Sequence, residues 1–303
     1  MVVHSPYASL LSALPVSTAR VTVLGSDTHY WDYGVDDAGV TIIAVHGFRG
    51  EHHGLEPVVA HLRNARVIVP DLPGFGESSP LTDVGHTIDG YSAWLSAFVA
   101  SLDLPEPPVV LGHSFGSIVA SSAVARGLVT PRLVLINPIA APALSGPKAI
   151  LTWLTVQYYR LAAVLPEKAG FALLGNWFIV RFTSLAMVTT KQPALRRWIH
   201  AQHHTYFSRY SDRATVLAGF DTSVTSDVSM AARAIHVPTL LIAADHDPIT
   251  SVRALHTLDT LFPDSRLVML RDVGHLIHYE RPAEAAVEIA AFVGAEAVGN
   301  VRS

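Results

Sequence analysis

Short runs of consecutive apolar residues, separated by helix-length segments, are the feature of this sequence that most constrains its fold. Ile42–Val45, Val109–Leu111 and Leu133–Ile136 are apolar without alternation, a pattern typical of strands covered by helices on both faces. Between such runs, residues 88–102 have apolar side chains three and four positions apart, which indicates an amphipathic helix. Strands that alternate with helices predict an α/β fold with a doubly wound, mostly parallel sheet.

The complete pattern predicts a sheet of eight strands. The first two strands are too close in sequence for a crossover helix, so we expect them to form an antiparallel pair at one edge. The predicted strands are Val21–Leu24, His29–Tyr33, Thr41–Val45, Arg66–Val69, Val109–Leu111, Leu133–Ile136, Thr239–Ala243 and Arg266–Leu270.

The alternation of strands and helices stops between about Ile139 and Ala234. This stretch contains amphipathic segments at 150–165, 171–187 and 193–210 but no convincing strand, and residues 151–210 hold eleven of the 25 Phe, Trp and Tyr residues. We therefore predict a helical cap at residues 140–235, inserted after the sixth strand. The core domain is then formed by residues 1–139 and 236–303.

Composition excludes several classes of protein. The net charge is −4 and no block of five like charges occurs, which disfavours a nucleic-acid partner. The absence of Cys excludes disulfides, a thiolate nucleophile and Cys-based zinc sites. No 18 consecutive apolar residues occur and no basic residue precedes the first apolar run, so we expect no membrane span, no secretory signal and a cytoplasmic protein. Nothing in the sequence sets an oligomeric state.

The pentapeptide Gly112-His113-Ser114-Phe115-Gly116 matches the pattern G-x-S-x-G. It follows an apolar strand and opens a helix-like segment, so the chain must reverse at Ser114 and project the hydroxyl outward. The two flanking glycines remove Cβ atoms that would clash in so sharp a turn. This context predicts a nucleophilic serine.

Together with other motifs, this pentapeptide resembles the α/β-hydrolase superfamily, in particular its capped serine esterases. The turn at 46–48 (His-Gly-Phe) is similar to the family's oxyanion turn, and the loop at 71–78 (DLPGFGES) to its DxPGFGxS loop. Asp247 lies in a loop like the family's acid loop after the penultimate strand, and His275 follows the last strand. The order Ser114, Asp247, His275 is the family's order of nucleophile, acid and histidine.

Each member of this predicted triad has a chemical reason. A serine hydroxyl is a poor nucleophile at neutral pH and needs an adjacent base, the role we expect for His275. The imidazole in turn needs a carboxylate that fixes its tautomer and stabilises its positive charge. We prefer Asp247 to Asp245 by its position in the loop, with an exchange of their roles as the alternative. Asn137, after the sixth strand, is neutral and cannot replace the acid.

The tetrahedral intermediate of ester hydrolysis also needs fixed hydrogen-bond donors. The resemblance places them at the backbone N–H groups of Phe48 and Phe115, with the two rings serving as ordinary packing. Arg49 either faces an anionic substrate group or is a solvated loop residue. The cap aromatics either line the pocket, lie on a membrane surface or pack on the core. The residues we expect to contact substrate are His46, Gly47, Arg49, His113, Trp153 and Trp177.

No cofactor or metal is expected. The pairs at 52–53 and 203–204 are adjacent histidines, and adjacent histidines by themselves make a poor metal site. The predicted function is therefore hydrolysis of small apolar carboxylic esters through an acyl-enzyme.

Alternative functions with the same triad are a thioesterase, a lactonase or a hydrolase of C–C bonds next to a ketone. A cation in the pocket, from Arg49, Arg160 or Arg181, would favour the C–C reaction. A ligand-binding homologue without catalysis is the alternative of a different class.

Overall fold

The computed structural model describes residues 4–35, 38–142 and 149–298, with only the backbone described at 149–152. Within these residues eight strands form one sheet in the order β1-β2-β4-β3-β5-β6-β7-β8. β1 and β2, and β2 and β4, pair antiparallel, and the other neighbours pair parallel. The strands are β1 Val16–Val23, β2 Ser26–Tyr33, β3 Val40–Val45, β4 Ala65–Pro70, β5 Val109–His113, β6 Leu133–Ile136, β7 Thr239–Ala244 and β8 Ser265–Leu270.

The predicted fold class is confirmed, including the antiparallel pair at the edge. All eight predicted strands overlap observed ones. A short antiparallel ladder between Leu62–Arg63 and Glu296–Ala297 was not predicted. It is only two residues long on each side, which is too short for a side-chain pattern to indicate a strand.

Helices cover both faces of the sheet. Adjacent side chains on β3 enter different clusters: Ile43 packs in a cluster with Phe98, and Ile42 in one with Ile289. Because both faces are buried, no alternation with polar residues is needed. The helices are α1 Ala8–Leu11, α2 Glu56–Val59, α3 Ile88–Ser101, α4 Phe115–Ala125, α5 Ala149–Val164, α6 Glu167–Leu174, α7 Trp177–Met187, α8 Pro193–Tyr206, α9 Arg213–Thr225, α10 Ser229–Ala232, α11 Val252–Asp259, α12 Ile277–Glu280 and α13 Pro282–Val293.

Helices α5 to α10 lie between β6 and β7, and we call residues 140–235 the helical insertion. In its described part the insertion contains no strand of the sheet, although Phe75 forms an isolated bridge with Tyr210. Residues 143–148, within the predicted boundaries, lie outside the described residues. The predicted segment 171–187 is divided between two helices. Asn176 starts α7, since its side chain accepts hydrogen bonds from the amides of Phe178 and Ile179.

By length and composition, one described stretch is apolar enough to cross a membrane. It is Glu167–Met187, which is 21 residues long and comprises α6 and α7. Of its most apolar 18 residues, 22 % are buried. The sequence criterion of 18 consecutive apolar residues missed this stretch because Lys168 and Arg181 interrupt it.

Candidate active site

The turn from β5 into α4 carries Ser114 in a backbone conformation that side chains seldom adopt, with φ 53° and ψ −117°. The flanking glycines make this turn possible. A Cβ atom on Gly116 would lie 2.2 Å from the carbonyl oxygen of Val45, and one on Gly112 would lie 2.3 Å from that of Gly116. The turn therefore fits between neighbouring strands only without these side chains.

The turn brings Ser114 against His275, which lies after β8 and 161 positions later in sequence. Nε2 of His275 lies 2.7 Å from Oγ of Ser114, and Nδ1 lies 2.7 Å from Oδ2 of Asp247. Ser114, His275 and Asp247 thus form one chain of hydrogen bonds. This arrangement orients the imidazole to take the hydroxyl proton and places a carboxylate where positive charge would develop.

Both carboxylate oxygens of Asp247 accept hydrogen bonds. Its Oδ1 accepts hydrogen bonds from the amides of Ile249 and Thr250, and its Oδ2 accepts one from the side-chain amide of Asn137 at 3.0 Å. Burial by itself would raise the pKa of Asp247, but the neighbouring His275 and these hydrogen bonds hold that pKa below its usual range.

The alternative acid, Asp245, lies elsewhere. Its carboxylate accepts a long hydrogen bond of 3.4 Å from the amide of Val273 and lies 3.3 Å from the ring of His246. Of the two aspartates, the structure places Asp247 at the imidazole.

The turn at 46–48 passes directly over the nucleophile. A Cβ atom on Gly47 would lie 3.2 Å from Cβ of Ser114. His46, which sequence analysis proposed as a substrate contact, lines the cavity beside Ser114 and also braces the turn. Its Nδ1 lies 2.8 Å from the carbonyl oxygen of Gly47, and its Nε2 accepts the amide proton of Leu72. Both ring nitrogens are therefore engaged within the protein.

Two backbone amides flank this turn and the nucleophile. Phe115 is the first residue of α4, so its N–H has no acceptor within the helix and lies at the positive end of the helix dipole. Phe48 follows Gly47 in the turn. The two rings pack together with centroids 6.2 Å apart, as expected for side chains that serve as packing.

A cavity of 540 Å³ adjoins Ser114 and His275. Its wall is mainly apolar and comes from the core through Phe48 and from the insertion through Tyr159 and Phe220. The rings of Tyr159 and Phe220 stack in parallel with centroids 3.6 Å apart. The volume is within the usual range for small-molecule sites.

The comparisons with known proteins agree with this geometry. The family model described as "Alpha/beta hydrolase family" matches residues 42–289. The chain belongs to the alpha/beta hydrolase family. The resemblance predicted from sequence is confirmed.

Two relatives and one solved structure are similar to this chain. Lipase 1 of Psychrobacter immobilis is 23 % identical over 282 residues, which cover 90 % of this chain and 82 % of the lipase. The pimeloyl-[acyl-carrier protein] methyl ester esterase of Aeromonas hydrophila is 25 % identical, covering 84 % of this chain and 96 % of the esterase. The structure of the enol-lactonase from Burkholderia xenovorans LB400 aligns with a TM-score of 0.73 and 20 % identity. The alignment covers 91 % of this chain and 100 % of the lactonase chain.

Arg49 in this hydrolase is not a solvated loop residue, so that sequence interpretation was wrong. It lines the cavity, and the interpretation that it faces an anionic substrate group stays a prediction. Arg49 is 3 % exposed. Its guanidinium donates to the carbonyl oxygens of Phe207 and Leu174 at 3.0 and 2.9 Å and to the hydroxyl of Tyr159 at 3.1 Å. The residue after the 46–48 turn therefore connects the helical insertion to the core.

Trp153 and Trp177 were also wrongly predicted to contact substrate. They are 54 % and 55 % exposed and do not line the cavity. Trp177 stacks on His204 with centroids 4.8 Å apart. Helical spacing in a sequence locates an apolar stripe but does not say whether it faces the cavity or solvent.

Gly47 and His113 do border the cavity. His113 is only 6 % exposed and packs behind the triad, with its ring 4.0 Å from that of His278 and 5.8 Å from that of His275. Burial, together with the neighbouring His275, lowers the pKa of His113 to about 3.

Sequence reasoning missed a polar connection between the insertion and the loop that contains His275. Glu280 accepts hydrogen bonds from the amide of Thr189, at 2.7 Å, and from its hydroxyl. The same hydroxyl accepts a 3.0 Å hydrogen bond from the amide of Gly274, next to His275. Asn137 was missed as a support of Asp247, although its position at the carboxyl end of β6 was a usable signal.

Two groups among the described residues have ligand atoms close enough to hold a metal ion, namely 51–53 (Glu-His-His) and Asp245, His246 and Asp272. In the first group, Nδ1 of His52 already lies 3.0 Å from Asp71, and Nδ1 of His53 lies 2.6 Å from Glu51. The prediction that the protein uses no metal stays a prediction.

Proposed function

We propose that this chain is a serine hydrolase that cleaves carboxylic esters of small apolar substrates through an acyl-enzyme. The hydrogen-bonded chain from Ser114 through His275 to Asp247, with both distances at 2.7 Å, carries the proposal. The names of the lipase and of the methyl ester esterase support the same class of reaction.

In the first half of the reaction, Oγ of Ser114 attacks the ester carbonyl carbon while Nε2 of His275 accepts the hydroxyl proton. The carbonyl oxygen becomes an alkoxide, which receives hydrogen bonds from the amides of Phe48 and Phe115. The imidazolium then protonates the alcohol, which departs. One such oxyanion donor contributes about 10²–10³ in rate.

In the second half, His275 takes a proton from water, and the resulting nucleophile attacks the acyl carbon bound to Ser114. Collapse of the second intermediate releases the carboxylic acid and returns the proton to Ser114. Asp247 keeps Nδ1 of the imidazole as donor and stabilises its positive charge in both halves.

The helical insertion acts as a cap that completes the apolar cavity, since α5, α7 and α9 contribute part of its wall. Such a wall suits the acyl or alcohol part of an apolar ester. We also propose that the protein acts in the cytoplasm.

The cations expected for a C–C bond hydrolase give that reaction little support. Arg160 and Arg181 do not line the cavity, and Arg49, which does line it, donates to protein oxygens. A lactone is a cyclic ester that the same steps would open, and the fold shared with the enol-lactonase is compatible with it.

A fluorophosphonate probe tests the nucleophile. We expect the wild type and Ser184→Ala to be labelled and Ser114→Ala to remain unlabelled, with kcat on a p-nitrophenyl ester lowered by about 10⁴ or more in Ser114→Ala. Ser184 is a matched control because it also lines the cavity and lies 2.7 Å from a histidine, His200. Labelling of Ser114→Ala, or loss of labelling in Ser184→Ala alone, would contradict the proposal.

A further inference from the structure

The helical insertion exposes an unusual number of large apolar side chains. Nine of the fifteen exposed large hydrophobic residues in the described part of the chain lie between positions 153 and 185. We call these nine the apolar face. Soluble proteins seldom concentrate such residues at one place unless that place binds something. The nine are Trp153, Leu154, Leu161, Val164, Phe171, Trp177, Phe178, Phe182 and Leu185.

Helical spacing gathers these residues into stripes. On α7, Phe178, Phe182 and Leu185 are spaced by four and three residues, so they lie on one side of the helix. On α5, Leu154 and Leu161 are seven residues apart, which is two helical turns. Phe178 is 75 % exposed. The apolar side chains of both stripes are exposed, since the rest of the described structure does not cover them.

The charge of this region is opposite to that of the rest of the chain. Residues 150–211 contain seven Lys and Arg and one acidic residue, whereas the whole chain contains 21 and 25. The region is therefore net +6 and the remainder net −10. The seven cations are Arg160, Lys168, Arg181, Lys191, Arg196, Arg197 and Arg209.

The cavity at Ser114 opens within the apolar face. Leu154 on α5 and Phe182 on α7 are 53 % and 62 % exposed, and both also line the cavity. Side chains that are largely exposed and also line a cavity mark its mouth. Leu154 and Phe182 therefore join the apolar face to the cavity that contains Ser114.

We propose that the apolar face docks on an anionic lipid surface, with the aromatic rings at the acyl boundary and cations of residues 150–211 at the lipid headgroups. Exposed Trp and Phe on an amphipathic helix with Lys and Arg at its flanks are the side chains that such surfaces bind. The role of the mouth in admitting lipid-dissolved esters rests on the proposed function, but the docking itself does not.

A second copy of this chain fits the face less well. Two such regions brought together would each carry a net charge of +6, and like charges at an interface oppose association. An anionic bilayer instead supplies the opposite charge. We therefore assign the face to lipid and treat self-association as an outcome that the experiment must exclude.

Vesicle flotation of full-length protein tests the proposal. Ser114→Ala serves as the parent so that no lipid is hydrolysed, and the vesicles contain phosphatidylcholine alone or mixed with phosphatidylglycerol. We expect binding to the mixed vesicles, at least tenfold weaker binding to phosphatidylcholine, and loss of binding with rising salt. Adding Trp177→Ser and Phe178→Ser should weaken binding at least tenfold, as should adding Arg160→Glu and Lys168→Glu.

Control variants carry changes of the same kind on the core, where Val129 and Val287 are exposed apolar residues and Arg253 is an exposed cation. Val129→Ser with Val287→Ser, and Arg253→Glu, should bind vesicles as the parent does. In the wild-type background, all surface variants should retain activity on a water-soluble short-chain ester. This activity separates failure of docking from failure of the proposed hydrolase function.

Absence of binding to the mixed vesicles would overturn the proposal. So would equal loss of binding in the core variants. A concentration-dependent dimer that Trp177→Ser and Phe178→Ser abolish, in the absence of vesicle binding, would reassign the face to a second copy of the chain.

Discussion

The core and the helical insertion bury apolar residues in different ways. In the core, the strands β3, β5 and β6 are almost entirely inaccessible, and adjacent side chains such as Ile42 and Ile43 are both 0 % exposed. In the insertion, α5 and α7 leave large apolar residues in solvent. The core is thus stabilised by continuous apolar burial on both faces of the sheet.

The insertion is also held by a few polar attachments. Arg49 donates to the insertion at three points, and Glu280 holds Thr189 beside the loop that contains His275. Arg213 of α9 donates to the carbonyl oxygens of Ala162 and Leu165 at the end of α5, where a cation is favoured. The comparison predicts that chemistry and overall stability belong to the core and that the insertion opens independently.

We expect the largest effect on activity from a substitution of Asp247, the proposed acid. Asp247→Asn should lower kcat by about 10⁴, because an amide favours the wrong tautomer of His275. Asp245→Asn, the matched control, should change kcat less than tenfold. Steady-state kinetics on a p-nitrophenyl ester measure both, and the opposite order of effects would reassign the acid.

The turn that holds the nucleophile should tolerate no side chain at Gly116. A Cβ atom there meets the carbonyl oxygen of Val45 at 2.2 Å, so Gly116→Ala should lower the free energy of unfolding by about 3 kcal/mol. Gly39→Ala is the control, since its nearest contact would be at 3.8 Å. Urea denaturation of both variants measures this free energy. An unchanged midpoint in Gly116→Ala would contradict the prediction and show that the strands can separate there.

Removing the attachment at Arg49 should loosen the insertion while leaving the sheet intact. Arg49→Met leaves buried carbonyl oxygens without donors, which costs about 1–3 kcal/mol for each group. Hydrogen exchange should accelerate in α5 to α8 but not in β3, β5 or β6. The control Arg20→Met removes an exposed cation, 3.6 Å from Asp27, and should change neither region. Equal acceleration in the strands would contradict the separation of the two regions.

Acid should destabilise the core through its buried neutral histidines. Burial, with smaller contributions from His53 and His275 respectively, lowers the pKa of His52 and His113 to about 3. The unfolded chain takes up these protons near pH 6.5, so the free energy of unfolding falls as the pH drops from 6.5 toward 3. The decrease should be about 1.4 kcal/mol per pH unit for each histidine.

Urea denaturation between pH 7.5 and 5 measures this slope. His113→Gln should reduce it, and His256→Gln, at an exposed position, should leave it unchanged. A free energy of unfolding that stays constant or rises as the pH falls would refute the prediction.

Much of this protein could be predicted from its sequence. Apolar runs without alternation located the eight strands because burial on both faces leaves no polar side to a strand. The G-x-S-x-G turn and the order of three residues located Ser114, Asp247 and His275, since the chemistry fixes the residue types and the fold fixes where on the chain they occur.

The tertiary structure alone decided which polar and aromatic side chains meet. Arg49 became a buried attachment because three oxygens of the distant insertion surround it. Trp153 and Trp177 face solvent, although Leu154 and Phe182 on the same helices line the cavity, because helix packing sets the rotation of each helix and local spacing does not encode it. Asn137 supports Asp247 across 110 positions of sequence, a contact that exists only because parallel strands bring their carboxyl ends to the same edge.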